Sequence, residues 1–427
     1  MNDLFWTWLE VPLWIRILWL MVVGSCIGSF LNVLVYRIPR EETITGFSHC
    51  PACNHALSWR DNIPVLGWFL VRGKCRYCKA SISSRYWIFE LLTAIAFGAL
   101  YWWEVDQLAL LPTENYLNRS EWSELIYVHY CYLTHVLLFC LMLTASLIDL
   151  DEFIIPDEIT VPGTLFGLGL AAWWPASRLP VWTLDYPDPL MQFWGPLLAT
   201  GRDNYWPAWL DQGDIASLLL ALGCFLGWCL ALLPWRWRFR RGLRWALRLQ
   251  LARIFRWSWT WRTFLAALIS FPAIVLFWFL LPELHWRTFL SAMIGMVGGG
   301  SIVWTIRILG RVTLGREAMG FGDVVLVAMI GSFLGWQASL MLFFIAPLFG
   351  LVFALGLALS RKSPYIPYGP YLCLGGLTVI LAWQPLWDQF GRLFSDWLLA
   401  AALGICLVVL TGMLFLLRIV RMLTGRE

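Results

Sequence analysis

Long apolar stretches separated by short polar segments run along the whole chain. The hydrocarbon core of a bilayer is about 30 Å thick, so a spanning helix needs about 20 largely apolar residues. Stretches close to that length lie at 13–36, 86–103, 126–148, 158–174, 215–234, 263–282, 288–309, 324–336, 338–360, 366–385 and 396–418. The pattern predicts an all-α polytopic membrane protein with about 11 transmembrane helices. The stretch at 324–336 is short, and we expect it to be tilted, partial or continuous with its neighbour.

Composition supports a membrane protein. Hydrophobic residues make up 60% of the 427 residues and charged residues only 14%, against about 25% charged in a soluble domain. The 30 Trp residues suit repeated membrane-water boundaries. No small-residue cleavage site closes the run 13–36, so we interpret it as a retained first span, not a signal peptide.

The loop at 37–85 is rich in basic residues and is therefore predicted to be cytoplasmic, with the N-terminus outside. Its basic residues are Arg37, Arg40, Arg60, Arg72, Lys74, Arg76, Lys79 and Arg85. The acidic loop 104–125 and the loop 176–213, rich in proline and aspartate, are predicted to lie outside.

Residues 235–262 contain nine Arg and no acidic residue, and Arg240, Arg244 and Arg248 recur at helical spacing. This pattern predicts a cytoplasmic interfacial helix that contacts anionic lipid headgroups. Nucleic-acid binding is the weaker interpretation, because membrane spans flank the segment and the net charge of the chain is only +4.

Four cysteines in the loop 37–85 form two CxxC motifs, CPAC and CRYC, separated by 21 residues. Two such motifs can close a tetrahedral site of four sulfurs, for which zinc is the natural metal. The predicted ligands are Cys50, Cys53, Cys75 and Cys78. Four protein ligands leave no position for water, so the metal is predicted to fold the loop and not to act in catalysis. His49 and His55 flank the first motif and are possible substitutes.

Two aspartates at the ends of apolar runs are candidate functional residues. Asp149 directly follows the apolar run ASLI, and Asp323 ends the motif GFGD before another apolar run. An ionisable group at the bilayer boundary is a functional hypothesis by default. The residues alone leave three interpretations open: an acid-base pair, ion or proton translocation, and plain interfacial acids. Pro156 predicts a turn between the third and fourth spans.

The chain resembles the type IV prepilin peptidases, which are bacterial membrane aspartyl proteases of the GxGD kind. The motifs that carry the resemblance are GSFLNVLVYRIPR, CPAC, DNIPVLGWFLVRGKCRYC, ISSRYWIFELLTA, LIDLDEFIIPD, REAMGFGD and IPYGPYL. They cover about the first 175 residues and residues 290–385.

The resemblance implies an endopeptidase in the bacterial inner membrane. Such an enzyme removes the basic leader of type IV prepilins or pseudopilins after a glycine, at the cytoplasmic face. Asp149 and Asp323 match the catalytic pair, Gly320 and Gly322 belong to the GxGD motif, and Asp157 matches a supporting acidic residue. Many members also methylate the new N-terminus with S-adenosylmethionine, an activity associated with the cysteine loop; no nucleotide motif identifies a cofactor site here.

The chain departs from the family pattern by a long insertion at 176–287 and an extra C-terminal span. The predicted division is therefore 1–36 first span, 37–85 zinc loop, 86–175 helices with the first aspartate, 176–287 insertion, 288–385 core with GFGD, and 386–427 last span and tail. The insertion contributes an even number of predicted spans, so Asp149 and Asp323 are expected on the same face of the membrane.

Two functions of other classes compete with the peptidase. One is a proton-coupled transporter that uses Asp149 and Asp323, but we see no internal symmetry. The other is a non-catalytic pilus or secretion assembly factor that keeps the cysteine loop for docking. The presence of both aspartates at their motif positions argues against it. Pilus or secretion machinery is a possible partner of the peptidase as well.

Overall fold

The structure is a computed structural model that describes residues 2–111, 121–184, 192–200, 206–233, 248, 250, 252, 258–314, 319–359, 367–394 and 397–424. Most of the arginine-rich segment 235–262 lies outside the described residues, and so does the helix predicted there.

The described residues form helices and one small β-hairpin. In chain order the helices are α1 (Asn2–Glu10), α2 (Leu13–Arg37), α3 (Leu66–Leu70), α4 (Arg85–Tyr101), α5 (Glu121–Glu152), α6 (Asp157–Trp173), α7 (Ile215–Ala231), α8 (Ser258–Leu280), α9 (Glu283–Leu314), α10 (Phe321–Leu334), α11 (Trp336–Leu359), α12 (Gly369–Leu381), α13 (Trp383–Phe390) and α14 (Trp397–Thr424). The hairpin pairs β1 (Pro180–Leu184) antiparallel with β2 (Gln192–Pro196). The apolar pattern did not predict it, because each strand has only five residues.

Six of the described helices are long and apolar enough to cross a membrane. They contain Leu13–Arg40, Arg85–Asp106, Leu125–Glu152, Thr263–Leu280, Glu283–Arg311 and Trp336–Gly356. Shorter apolar helices lie at Ile215–Ala231, Phe321–Leu334, Gly369–Leu381 and Ala401–Met413. The prediction of an all-α polytopic membrane protein is confirmed. The count of about 11 spans and the division into domains stay predictions.

The chain turns sharply after each of the two helices that contain the aspartates, α5 with Asp149 and α10 with Asp323. Between α5 and α6, Phe153 has a φ of 56° and Pro156 precedes the first residue of α6, in agreement with the predicted turn. Between α10 and α11, Gly335 has a φ of 97° and donates its N–H to the Gly331 carbonyl at 2.9 Å. Because glycine adopts this conformation readily, it ends α10 as a separate short helix.

The helices group into two compact units, which we describe separately. The first comprises Met1–Gly163, Glu317–Leu326 and Met341–Phe390. Its central helix is α5, whose apolar window is 72% buried and which packs against α2, α4 and α12. Helices α2 and α4 approach closely at Gly28, where an added methyl group would lie 2.9 Å from Glu90 Cα.

The second unit comprises Thr164–Arg316, Val327–Leu340 and Gly391–Glu427. Its helix α9 packs against α7 and α14. Gly295 of α9 and Gly331 of α10 bring their backbones together, since a methyl group on either residue would overlap the carbonyl oxygen of the other. Such small-residue contacts let apolar helices approach closely in a membrane. In the same unit, an added methyl group at Gly223 of α7 would have no atom of the described residues within 4 Å.

We expect Gly331→Ala to lower the free energy of unfolding by about 1–3 kcal/mol, because the added methyl group overpacks the contact with Gly295. The matched control is Gly223→Ala, which should leave stability unchanged or raise it by up to about 1 kcal/mol. Thermal unfolding of the purified protein in detergent measures both. Equal midpoints for the two variants would show that α9 and α10 do not meet at these glycines.

Candidate active site and metal centre

Asp149 lies near the end of α5 and is only 5% exposed. Its Oδ2 accepts a hydrogen bond from the Gly369 N–H at 3.1 Å, although 220 positions separate the two residues. Gly369 is the first residue of α12, and free N–H groups at a helix N-terminus favour a nearby negative charge. A methyl group at Gly369 would lie 2.5 Å from Asp149 Oδ2. The start of α12 therefore holds the Asp149 carboxylate, and glycine permits the close approach.

Asp323 lies in the first turn of α10 and is 7% exposed. Its Oδ2 accepts a hydrogen bond at 3.1 Å from the N–H of Gly320, the residue that precedes the helix. An acidic side chain at the third helical position that bonds back to the N-cap N–H is half of a capping box. The GFGD sequence thus orients this carboxylate through local helix geometry.

Ile155, in the turn between α5 and α6, is the neighbour that the two aspartate motifs share. An added methyl group at Gly322 would lie 2.8 Å from Ile155 Cβ, and one at Gly369 would lie 3.0 Å from Ile155 Cδ1. Both carboxylates also lie within electrostatic range of the Cys373 thiol in α12. The fold therefore brings Asp149 and Asp323 to one site within the first unit.

Asp157 occupies a different position. It is the first residue of α6, where an acidic side chain complements the positive end of the helix dipole, and Glu158 is its charged neighbour. The supporting role of Asp157 stays a prediction.

Three residues of this site had no assigned role in the sequence prediction: Ile155, Gly369 and Cys373. Gly369 carries a signal, because a glycine and a proline stand directly before an apolar run in IPYGPYL. Ile155 and Cys373 carry none, since they resemble many other apolar residues of a membrane protein. Their position depends on which helices pack together.

The four predicted cysteine ligands form one cluster. All their Sγ atoms lie within 4.8 Å of one another, and those of Cys50 and Cys78 are 3.8 Å apart. Tetrahedral zinc with bonds of about 2.3 Å to sulfur places the ligands about 3.8 Å apart. The donor set and spacing fit such an ion. His55 is not in the cluster, since its ring packs on Tyr77 with centroids 3.5 Å apart, and neither is His49.

The two CxxC turns have the same backbone geometry. In the first, Cys50 donates its N–H to the His55 carbonyl at 3.0 Å; in the second, Cys75 donates to the Ala80 carbonyl at 2.8 Å. The residue after each second cysteine has a positive φ, 54° at Asn54 and 63° at Lys79. Backbone N–H groups of Cys78 and Tyr77 lower the pKa of the Cys75 thiol to about 7. A lower pKa favours the thiolate, which is the form that binds metal.

Comparison with known protein families matches two regions of the chain. Residues 22–104 match the bacterial peptidase A24 N-terminal domain, a region that contains all four cluster cysteines. Residues 260–355 match the type IV leader peptidase family, a region that contains Asp323 but not Asp149. No solved structure matches the chain.

Several curated relatives carry the name prepilin leader peptidase/N-methyltransferase. The protein from Pectobacterium carotovorum subsp. carotovorum is 32% identical over 243 residues, which are 48% of this chain and 74% of the relative. The protein from Aeromonas salmonicida is 24% identical over 397 residues, 86% of this chain and 91% of the relative. The protein from Myxococcus xanthus is 35% identical over 216 residues, 49% of this chain and 56% of the relative.

We expect purified protein to contain about one zinc ion per chain, as a four-cysteine site binds one ion. Cys75→Ser should lose it, because Cys75 is a buried member of the cluster. Inductively coupled plasma mass spectrometry measures the metal. Cys26→Ser is the matched control, since Cys26 is exposed and lies outside the cluster. Full zinc content in Cys75→Ser would contradict the four-sulfur site.

Proposed function

This chain belongs to the type IV leader peptidase family, and on that premise we propose that it is a membrane aspartyl endopeptidase that removes the leader of type IV prepilins or pseudopilins. The observation that carries the proposal is the convergence of two buried aspartates around Ile155. Each has one carboxylate oxygen bonded to a backbone N–H beside a helix start. We assign Asp149 and Asp323 as the catalytic pair.

Catalysis by an aspartate pair needs one carboxyl group ionised and the other protonated. The ionised aspartate acts as general base and takes a proton from the attacking water. The protonated aspartate donates a hydrogen bond to the scissile carbonyl oxygen and stabilises the charge that develops there. The N–H groups of Gly320 and Gly369 fix the two side chains, which reduces the reorganisation that the reaction needs.

The substrate class follows from the position of the pair. Asp149 closes one apolar helix and Asp323 opens another, so the site lies where a membrane helix meets water. A prepilin presents a basic leader before an apolar helix, and basic residues stay on the cytoplasmic side. We therefore place the cleavage after the leader glycine, at the cytoplasmic face of the inner membrane, with the cysteine loop on the same side.

The names of the relatives support a second activity, N-methylation of the new N-terminus. When bound, S-adenosylmethionine would supply an electrophilic methyl group to the new N-terminal amine and would leave as S-adenosylhomocysteine. Zinc held by the four cysteines gives the loop its fold.

The transporter and assembly-factor alternatives have no comparable support among the relatives.

Replacing either aspartate should abolish cleavage. We expect Asp149→Asn and Asp323→Asn each to lower the rate about 10²–10⁴-fold, because an amide cannot serve as the acid or base. Purified protein in detergent is incubated with a prepilin, and mass spectrometry follows the mature product. The exposed Glu152 supplies the control Glu152→Gln, which should cleave at the wild-type rate. Wild-type rates in either aspartate variant would exclude the assignment.

The two glycines of GFGD should differ in their tolerance of alanine. Gly322→Ala places a methyl group 2.8 Å from Ile155 Cβ, whereas Gly320→Ala meets no atom of the described residues closer than 3.5 Å. Since displacement of a catalytic group by about 1 Å can cost a hundredfold, we expect Gly322→Ala to lower the cleavage rate about 10- to 100-fold and Gly320→Ala less than about threefold. The same cleavage assay measures both. A Gly320→Ala variant as impaired as Gly322→Ala would show that the contact with Ile155 does not decide the effect.

A further inference from the structure

We propose that S-adenosylmethionine binds in the cavity between the cysteine loop and the adjoining parts of α2 and α4, with Asp61 and Trp87 as its principal polar contacts. This inference rests on the proposed methyltransferase function. The cavity lies within the first unit and has a volume of about 390 Å³, inside the range of about 300–1,000 Å³ that small-molecule sites occupy. Its wall combines loop residues, including the cluster ligands Cys50 and Cys75, with helix residues such as Tyr86, Trp87 and Glu90.

Asp61 provides a buried hydrogen-bond acceptor. Its side chain is only 3% exposed. Oδ1 accepts two hydrogen bonds from the Arg76 guanidinium, at 3.1 and 2.6 Å. Oδ2 is buried and has no donor among the described residues. A buried carboxylate oxygen without a donor is unfavourable, so the geometry points to a ligand donor there. The hydroxyls of a ribose are suitable donors, as in other nucleoside sites where a carboxylate holds the sugar.

Trp87 provides an aromatic face and a hydrogen-bond donor. It lies beside Trp68, with ring centroids 6.0 Å apart. The Trp68 Nε1 already donates to the Ile82 carbonyl at 3.0 Å, whereas the buried Trp87 Nε1 has no partner among the described residues. A planar apolar wall with a free N–H suits a purine ring, which stacks on aromatic side chains and carries acceptor nitrogens.

The charge of the wall favours a cation over a phosphorylated nucleotide. Asp61 and Glu90 both line the cavity, and Glu90 accepts a hydrogen bond from the Val65 N–H at 2.6 Å. Arg37 also lines it, but its guanidinium donates to four backbone carbonyls, those of Thr43, Ile44, Thr45 and Phe47. It is therefore occupied by the loop backbone. Aromatic and carboxylate groups together attract a sulfonium cation and repel phosphate.

An ion pair joins the start of α4 to the end of α5, the helix that carries Asp149. Arg85, at the start of α4 and next to the cavity residue Tyr86, pairs with Asp151 at 2.5 Å. Asp151 stands two positions after Asp149 on α5. Cleavage creates the amine that accepts the methyl group, so methyl transfer follows removal of the leader.

Equilibrium dialysis of the full-length protein in detergent with labelled S-adenosylmethionine tests the inference. Asp61→Asn should weaken binding at least about tenfold, because it removes the acceptor charge. The matched control is Arg76→Gln, which removes the same ion pair but keeps the free oxygen, and it should change the dissociation constant less than about threefold. Trp87→Phe keeps the aromatic face without the N–H and should weaken binding as well. Prepilin cleavage by each variant reports whether it is folded.

Unlabelled ATP should not compete, and S-adenosylhomocysteine, which lacks the sulfonium charge, should compete less well than S-adenosylmethionine. Ultraviolet cross-linking of the labelled donor followed by peptide mapping locates the site without any variant, and the label should fall within residues 29–90. Wild-type protein that cleaves prepilin but binds no donor overturns this inference and leaves the peptidase proposal unaffected. Equal binding by wild type and folded Asp61→Asn, or label within residues 258–394, overturns it too. Protein that binds the donor but cuts no prepilin contradicts the peptidase proposal alone.

Discussion

Backbone N–H groups beside helix starts hold the two aspartate carboxylates, and the rest of the site depends on that constraint. A buried carboxylate is unfavourable in an apolar protein unless it accepts hydrogen bonds. Gly369 supplies the donor to Asp149 from the start of α12, and Gly320 supplies the donor to Asp323 from the residue before α10. Because both donors are backbone groups, the position of each acid is set by where a helix begins.

The same constraint explains why glycines surround the pair. A side chain at Gly369 would occupy the space of Asp149 Oδ2, and one at Gly322 would press against Ile155. Glycine elsewhere in the molecule serves a different purpose, since Gly295 and Gly331 let two helices touch within the second unit. The cysteine cluster stabilises the loop 37–85 within the first unit. A loop with so little apolar content needs a covalent or metal cross-link to keep its shape.

Much of this molecule was predictable from its sequence. The length of the apolar stretches predicted the helices, and the spacing of the CxxC motifs predicted the four-sulfur cluster. The resemblance to the family singled out Asp149 and Asp323. The contribution of Ile155 was not predictable, because it depends on which helices pack together and not on a local pattern. Nor was the buried Asp61 Oδ2, which has no donor within the part of the chain that the structure describes, since the sequence shows a loop acid but not that its side chain is buried. The β-hairpin at Pro180–Leu184 and Gln192–Pro196 was not predicted either, because its strands are too short to show a clear alternation of apolar and polar residues.

The central claim is that Asp149 and Asp323 meet at one site within the membrane protein. Cross-linking in native membranes tests it most directly, with Asp149→Cys and Asp323→Cys introduced together in a chain whose cysteines outside the four-sulfur cluster are replaced by serine. A short bis-maleimide should join positions 149 and 323 as efficiently as it joins cysteines placed at Ile155 and Gly322, and peptide mass spectrometry detects both links. Linkage of the second pair without any linkage of the first would show that Asp149 and Asp323 do not meet.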